Sequence, residues 1–317
     1  MSLPPYEEMT KLLLPRPSLP SSIEIKDLSK VFKRNGGAPF TAIENVNAVV
    51  KNIDDMGEFV TIIGPSGCGK STILQMIAGF DTHLPATTGS IHFHGDIVTG
   101  PSAARGMLFQ DYGCYPHLSV FENIAFGLRL HREHLSLRDS DIRNICDEWI
   151  ERVKLSPKDK PKFPHELSGG MKQRVALARC LTLKPKCLLM DEPFSALDEP
   201  TRYEMQDLII DLWSQIKATI ILVSHSISEA VFLGDRIWVI SQAPGTIAAE
   251  FVDIPKPDPS VPAMVQRTNK KFIDCVSEVS RCFRDVISTQ RDRVLPVFAD
   301  GENDHRFIPL LPRGEKT

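Results

Sequence analysis

Apolar and polar positions along this chain follow two periods, and the switches between them predict its elements. Ile23-Glu24-Ile25-Lys26-Asp27-Leu28, then Val31-Phe32, alternates like a half-buried strand. A turn around Asn35-Gly36-Gly37 and a second alternating run, Thr41 to Val50, extend this into a small antiparallel sheet. Lys51 to Met56 reads as a polar turn, and Glu58-Phe59-Val60-Thr61-Ile62-Ile63 as a buried strand. Thr72 to Gly79 is helical in pattern and closed by its glycine. Further strands are expected at Gly89–Gly95, Arg105–Gln110, Lys186–Pro193, Ala218–Val223, Arg236–Ile240 and Ile247–Val252. Helices are expected at Val120–Leu130, Asp141–Leu155, from the stretch opened by Leu167 to about Leu183, at Pro200–Lys217 and at Ile227–Leu233. Alternation of this kind predicts an α/β fold: a mostly parallel sheet covered on both faces, with an antiparallel β subdomain. The helical stretch at about 111–166 reads as an insertion between strands of the main sheet. No internal repeat is present.

The ends read differently. Residues 1–21 carry Pro4, Pro5, Pro15, Pro17 and Pro20, the composition of a flexible N-terminal arm. The main domain is expected at 22–255, and Pro255, Pro257, Pro259 and Pro262 mark a linker into a C-terminal extension, 256–317. In it, Phe272, Val276, Val279, Phe283 and Val286 share one helical face, too short for sustained heptads and suited to docking on its own domain. From about Ser288 no pattern is evident.

Composition narrows the classes. With 24% charged and 42% apolar residues and a net charge of -3, the chain has no electrostatic footprint for nucleic acid or an acidic membrane surface. No apolar run reaches the roughly 18 residues of a membrane span, so a cytoplasmic protein is expected. Seven scattered cysteines without C-x-x-C spacing argue against a disulfide framework or zinc site. His92 and His94 have the spacing of a shared strand face, but without a third ligand they read as surface residues.

The chemistry centres on Gly64-Pro65-Ser66-Gly67-Cys68-Gly69-Lys70-Ser71-Thr72, which fits G-x-x-x-x-G-K-[ST] between a strand and a helix. Glycines let backbone N–H groups converge on phosphate oxygens, and the helix N-terminus adds unpaired donors and partial positive charge. Lys70 is expected on the β- and γ-phosphates and the Ser71 hydroxyl on Mg²⁺. Cys68, at that same N-terminus, is expected to favour its thiolate. Downstream, an apolar strand ends in Asp191-Glu192: a carboxylate to hold Mg²⁺ through water and a general base to polarise the attacking water. Ser168-Gly169-Gly170 at a helix start makes a second anion cradle. A chain with a complete phosphate loop needs no second cradle for the same nucleotide, which predicts a head-to-tail pair with two nucleotides between the copies. Phe32 is either a base-stacking aromatic or core, and its position alone favours core.

Gly64–Thr72, Gln110, Leu167-Ser168-Gly169-Gly170-Met171, Leu188–Glu192, Ser195-Ala196-Leu197-Asp198 and His225, in this order, resemble the nucleotide-binding subunit of an ATP-binding cassette transporter over about Ile23 to Ile254. The resemblance implies a P-loop NTPase of RecA-like topology that binds ATP and Mg²⁺ and hydrolyses ATP. It implies that Phe32 stacks on adenine and that Gln110 links the Mg²⁺ site to a membrane partner. Asp198 then belongs to a loop that crosses the dimer, His225 touches the γ-phosphate, and Leu167–Met171 meets the partner's ATP. The partners implied are a second ATPase copy or a related subunit, two integral-membrane permease subunits and, indirectly, an extracytoplasmic solute-binding protein. The place implied is the inner face of the cell membrane. Leu-Ser-Gly-Gly-Met-Lys-Gln-Arg-Val, Gly100-Pro101 with Arg105, and Asp235-Arg236-Ile237 with Ala243-Pro244-Gly245-Thr246-Ile247 are similar to the nitrate, sulfonate and taurine importer group. Tyr115-Pro116-His117-Leu118 departs towards sugar and polyamine importers. The alternatives are an importer of another small solute, such as a thiamine precursor, or a non-transport cassette ATPase.

Overall fold

The structure is a computed structural model that describes residues 21–33, 37–51, 57–111, 113–252, 254–256, 258, 261–292 and 307–309. The Asn35-Gly36 turn, most of the Lys51–Met56 turn and all of the expected N-terminal arm but Ser21, which opens the first strand, lie outside the described residues. Numbered along the chain, the strands are β1 (Ser21–Phe32), β2 (Phe40–Lys51), β3 (Phe59–Ile63), β4 (Thr88–Phe93), β5 (Asp96–Ile97), β6 (Arg105–Leu108), β7 (Cys187–Asp191), β8 (Thr219–Val223), β9 (Arg236–Ile240), β10 (Ile247–Phe251) and β11 (Phe307–Pro309). Two compact units emerge: one takes residues 102–218, the other the described residues before 102 and after 218.

In the second of these, β1 pairs antiparallel with β2 and β4, and β4 with β5. Ile23 and Ile25 are buried on one face, and then the register shifts so that Leu28 takes the inward place. Asp27 absorbs the shift at φ 46, its N–H donating to Asn47 Oδ1 at 2.9 Å. The alternation read from the sequence thus continues through a bulge as one strand. Strand β3 is buried at every position and pairs parallel with β8 and β9; β10 and β11 extend that side antiparallel. A buried ion network ties this sheet: Arg236 donates from Nε to Glu58 and from Nη1 to Glu250, both at 2.7 Å. Trp238 Nε1 also donates to Glu250, at 2.9 Å.

The helix Lys270–Asp292 docks on this sheet, as its apolar face requires. Its most buried residues include Cys275 and Cys282, which the sequence reading passed over, beside Val279. They pack on Ile63, Val239, Ala249 and Phe251, with Phe272, Val276, Phe283 and Val286 at the margin. The helix runs past Ser288, and β11 pairs with β10 at Phe251↔Phe307; neither shows in the sequence pattern.

In the other unit, β6 and β7 pair parallel, Leu108 opposite Met190. Four helices accompany them: Val120–Leu130, Asp139–Arg152, Gly169–Leu181 and Glu199–Ile216. The first starts at a capping box, Ser119 with Glu122. Buried Asn123 accepts from the Tyr115 N–H at 2.8 Å and donates to the carbonyls of Tyr115 and Leu118 at 3.1 and 2.9 Å. That glutamine-to-helix loop is therefore shaped by a side chain on the helix that follows it.

Candidate functional site

Strand β3 ends in the glycine loop, and the helix Lys70–Ala78 starts at its far end with no side-chain cap. Gly69 sits at φ 97, and a Cβ there would come within 2.8 Å of the Ala42 carbonyl oxygen, so only glycine fits. The first-turn N–H groups are left for an anion. Lys70 is buried, and its Nζ donates to the carbonyls of Gly64 and Pro65 at 2.9 and 2.8 Å. The ammonium is thereby tied to the loop itself. Ser66 and Gly67 are exposed; Pro65, Gly69, Ser71 and Thr72 are half-buried, and Gly64 is buried. Gly245 packs against the loop, where a Cβ would lie 1.9 Å from the Cys68 carbonyl oxygen, and it is tied to β2: its N–H donates to the Ala42 carbonyl and its carbonyl accepts from Glu44 N–H, both at 3.0 Å.

The expectation for Cys68 is corrected. Its thiol is buried, 1% exposed, and burial pushes its pKa up, with the Lys70 charge only partly opposing. Desolvation outweighs the Lys70 charge and the backbone N–H groups here, so Cys68 is a protonated packing residue rather than a thiolate.

Strand β8 runs beside β3 in parallel register, Val223 opposite Ile62, so the segments that follow both strands leave the sheet at the same edge. His225 is exposed there. Its turn is fixed by neighbours missed in the sequence reading. Buried Ser224 donates to Glu229 Oε2 at 2.6 Å and accepts from Ser226 N–H at 2.9 Å, while Ser226 Oγ accepts from Glu229 N–H at 3.2 Å. The Ser-x-x-Glu spacing of Ser226 and Glu229 was the available signal. Phe32, at the end of β1, is half-buried, against the core reading from position alone. His83 meets its ring edge-on at 5.4 Å, and Lys30 Nζ lies 5.3 Å from its centroid.

In the unit formed by residues 102–218, β7 delivers Asp191 and Glu192, both half-buried. Glu192 adopts φ 46, a left-handed conformation unusual for glutamate and of the kind that functional sites hold under constraint. Its carbonyl accepts from Ser195 twice, from N–H at 3.2 Å and Oγ at 3.0 Å. Exposed Gln110 donates from Nε2 to Ser195 Oγ at 3.5 Å. Asp198 caps the helix Glu199–Ile216 through Thr201 N–H at 3.4 Å, and these bonds hold its carboxyl below the usual range. Ser168 caps the helix Gly169–Leu181, its Oγ accepting from Met171 N–H at 3.3 Å. Leu167 and Gly170 are buried, Ser168 is exposed, and Gly169 and Met171 are half-buried. The structure therefore brings Gln110, Glu192 and Ser195 together, and separately the glycine loop and the His225 turn.

His94 lies past the end of β4 at φ 47, outside the expected strand face, and His92 pairs with Ser90 Oγ at 3.0 Å. Among the described residues no cluster of three metal-ligating side chains occurs. No described helix is long and apolar enough to cross a membrane.

Comparison with known proteins bears on this geometry. A family model described as ABC transporter matches residues 51–195. A nitrate import ATP-binding protein of Synechocystis sp. is 43% identical over 229 residues, covering 72% of this chain and 81% of its own length. An aliphatic sulfonates import ATP-binding protein of Bacillus cereus is 42% identical over 226 residues, 71% of this chain and 84% of its own. Among solved structures, a dimeric ATP-binding cassette in a post-hydrolysis state, bound to ADP and Pi, superposes with a TM-score of 0.60 at 30% identity. It covers 68% of this chain and 93% of its own.

Proposed function

This chain belongs to the ABC transporter family, and from that premise we propose that it is the ATP-hydrolysing subunit of a small-solute importer. The observation that carries this reading is the uncapped helix N-terminus behind Gly69, with Lys70 held on the loop and His225 leaving the same sheet edge. That arrangement receives a polyphosphate through backbone donors and one buried cation.

The residues act as follows. Backbone N–H groups of 64–72 hold the phosphates, Lys70 takes charge on the β- and γ-oxygens, and Phe32 stacks on the adenine. Glu192 accepts the proton of the attacking water, and His225 donates to the γ-phosphate as negative charge grows there. Ser71, Gln110 and Asp191 offer a hydroxyl, an amide and a carboxylate, the hard oxygen donors that Mg²⁺ takes. The ion, when bound, offsets phosphate charge. Ser168–Gly170 receives the nucleotide of a second copy in a head-to-tail pair, with Asp198 on the loop that crosses between them.

Phe109, Tyr115, Phe126 and Leu130 are large apolar residues left exposed on the unit that carries Gln110. They suit the docking of a membrane permease subunit, which would hold this subunit at the inner face of the membrane. The relatives favour an oxyanion such as nitrate, a sulfonate or taurine as cargo, delivered to the permease by an extracytoplasmic binding protein. The test is Glu192→Gln. ATP affinity should hold while hydrolysis falls by roughly 10²–10⁴-fold. Light scattering with Mg-ATP should show a trapped dimer, and cells carrying only this variant should lose uptake of one solute alone. Undiminished hydrolysis would remove Glu192 as base.

A further inference from the structure

Gln173 lies on the helix Gly169–Leu181, one turn beyond the Ser168 cap, and is fully buried. Its side chain is not spent on its own helix. Nε2 donates to the carbonyl of Pro193, the residue directly after Glu192, in a short hydrogen bond. Its Oε1 has no hydrogen-bond partner among the described residues. A buried amide with half its capacity unused is costly, so the half that is used should matter.

Two side chains grip the carbonyls of the Glu192–Pro193 turn, and a third braces one of them. Ser195 grips the Glu192 carbonyl, Gln110 reaches Ser195 Oγ, and Gln173 grips the next carbonyl along. These bonds surround a glutamate at φ 46, a backbone state that persists only where its surroundings over-determine it. Nearer its start, the same helix packs on the helix Glu199–Ile216: a Cβ on Gly170 would lie 2.7 Å from Thr201 Cγ2. A shift of the helix that begins at Ser168 therefore pulls, through Gln173, on the peptide that follows Glu192.

We propose that Gln173 is a positioning residue for the hydrolytic step, tying the Glu192 backbone to the helix whose N-terminus receives the second copy's nucleotide. Hydrolysis in one site is thereby made to depend on occupancy of the other. The inference rests on the reading of Glu192 as the base. In it Gln173 touches neither nucleotide nor water.

The test is Gln173→Met, which keeps the length and apolar bulk and removes the donor. Gln173→Asn, which keeps the amide one methylene short of Pro193, serves as the second variant. Thermal melting selects whichever is folded. ATP affinity of the single chain should stay within about twofold while kcat falls about tenfold, the worth of one good hydrogen bond. The Hill coefficient for ATP should drop towards one. Combined with Glu192→Gln, the Gln173 substitution should cost nothing further, because it acts through the same carboxylate. Unchanged kcat in a folded variant would overturn the proposal. So would equal loss of ATP affinity, or a full tenfold loss on top of Glu192→Gln. If Glu192→Gln alone leaves hydrolysis intact, the base assignment fails, and that outcome is separate from these.

Discussion

Two glycine-bearing helix starts in this protein look alike in sequence and differ in structure. Gly64–Thr72 and Leu167–Met171 each place small residues before a helix, and each leaves first-turn N–H groups for an anion. The helix behind Gly69 has no side-chain cap, and its loop carries its own buried cation, tied by two carbonyls. The helix behind Ser168 is already capped by that serine and has no basic residue in its first turn before Lys172. On the proposed reading the first is a complete phosphate site. The second supplies donors and little charge, and is anchored to the turn that follows Glu192. On that reading the first cradle binds alone, and the second works against a nucleotide that another copy holds.

The largest expected effect belongs to the complete cradle. Lys70→Ala removes its only buried cation and should lower ATP affinity and turnover together by roughly 10²–10³-fold. Equilibrium binding on the isolated chain measures this. Retained affinity would erase the contrast between the two cradles.

Gly170→Ala should act the other way. The added methyl meets the Thr201 side chain at 2.7 Å, so either that side chain or the helix start must move. A strain of about 1–3 kcal/mol is expected, read as a lower denaturation midpoint. ATP binding to the single chain should be kept, and ATPase activity should fall roughly tenfold or more. Ser168→Ala is milder, losing a cap worth about 1 kcal/mol. If either variant weakened binding to the isolated chain, the second cradle would be serving the chain's own nucleotide.

The smallest effect is at Cys68. Its raised pKa means that the thiol stays protonated at neutral pH, and the reactive thiolate fraction grows only as pH rises above the ordinary cysteine range. Alkylation by iodoacetamide should be slow at pH 7.5 and accelerate only in alkali. Rapid modification at neutral pH would show the loop to be open rather than packed.

Much of the site was legible in the sequence because it is local. A phosphate loop needs one strand, one run of glycines and one helix, all contiguous, and the apolar runs on either side announce them. The Val120–Leu130, Ile227–Leu233 and Arg236–Ile240 elements were likewise readable to the residue, since period and caps agree there. Phe32 was harder. One aromatic at a strand end carries no period, and only the fold shows that its ring is half-buried rather than core. Cys275 and Cys282 escaped because cysteine is a weak hydrophobic signal until packing buries it. The strand β11 escaped because three residues hold no period, and pairing with β10 alone makes them a strand.

Backbone chemistry explains what the sequence by itself determined: which segments are strands and helices, which glycine loop opens a helix with no side-chain cap, and which carboxylates end a buried strand. Those properties depend on residues within a few positions of one another. Tertiary structure decided the rest. It buried Cys68 and so kept its proton, and it placed His225 beside the glycine loop through the β3–β8 register. It also spent Gln173 on a carbonyl twenty positions away in the chain. Desolvation and long-range hydrogen bonds depend on what surrounds a group in space, and local pattern carries no record of that.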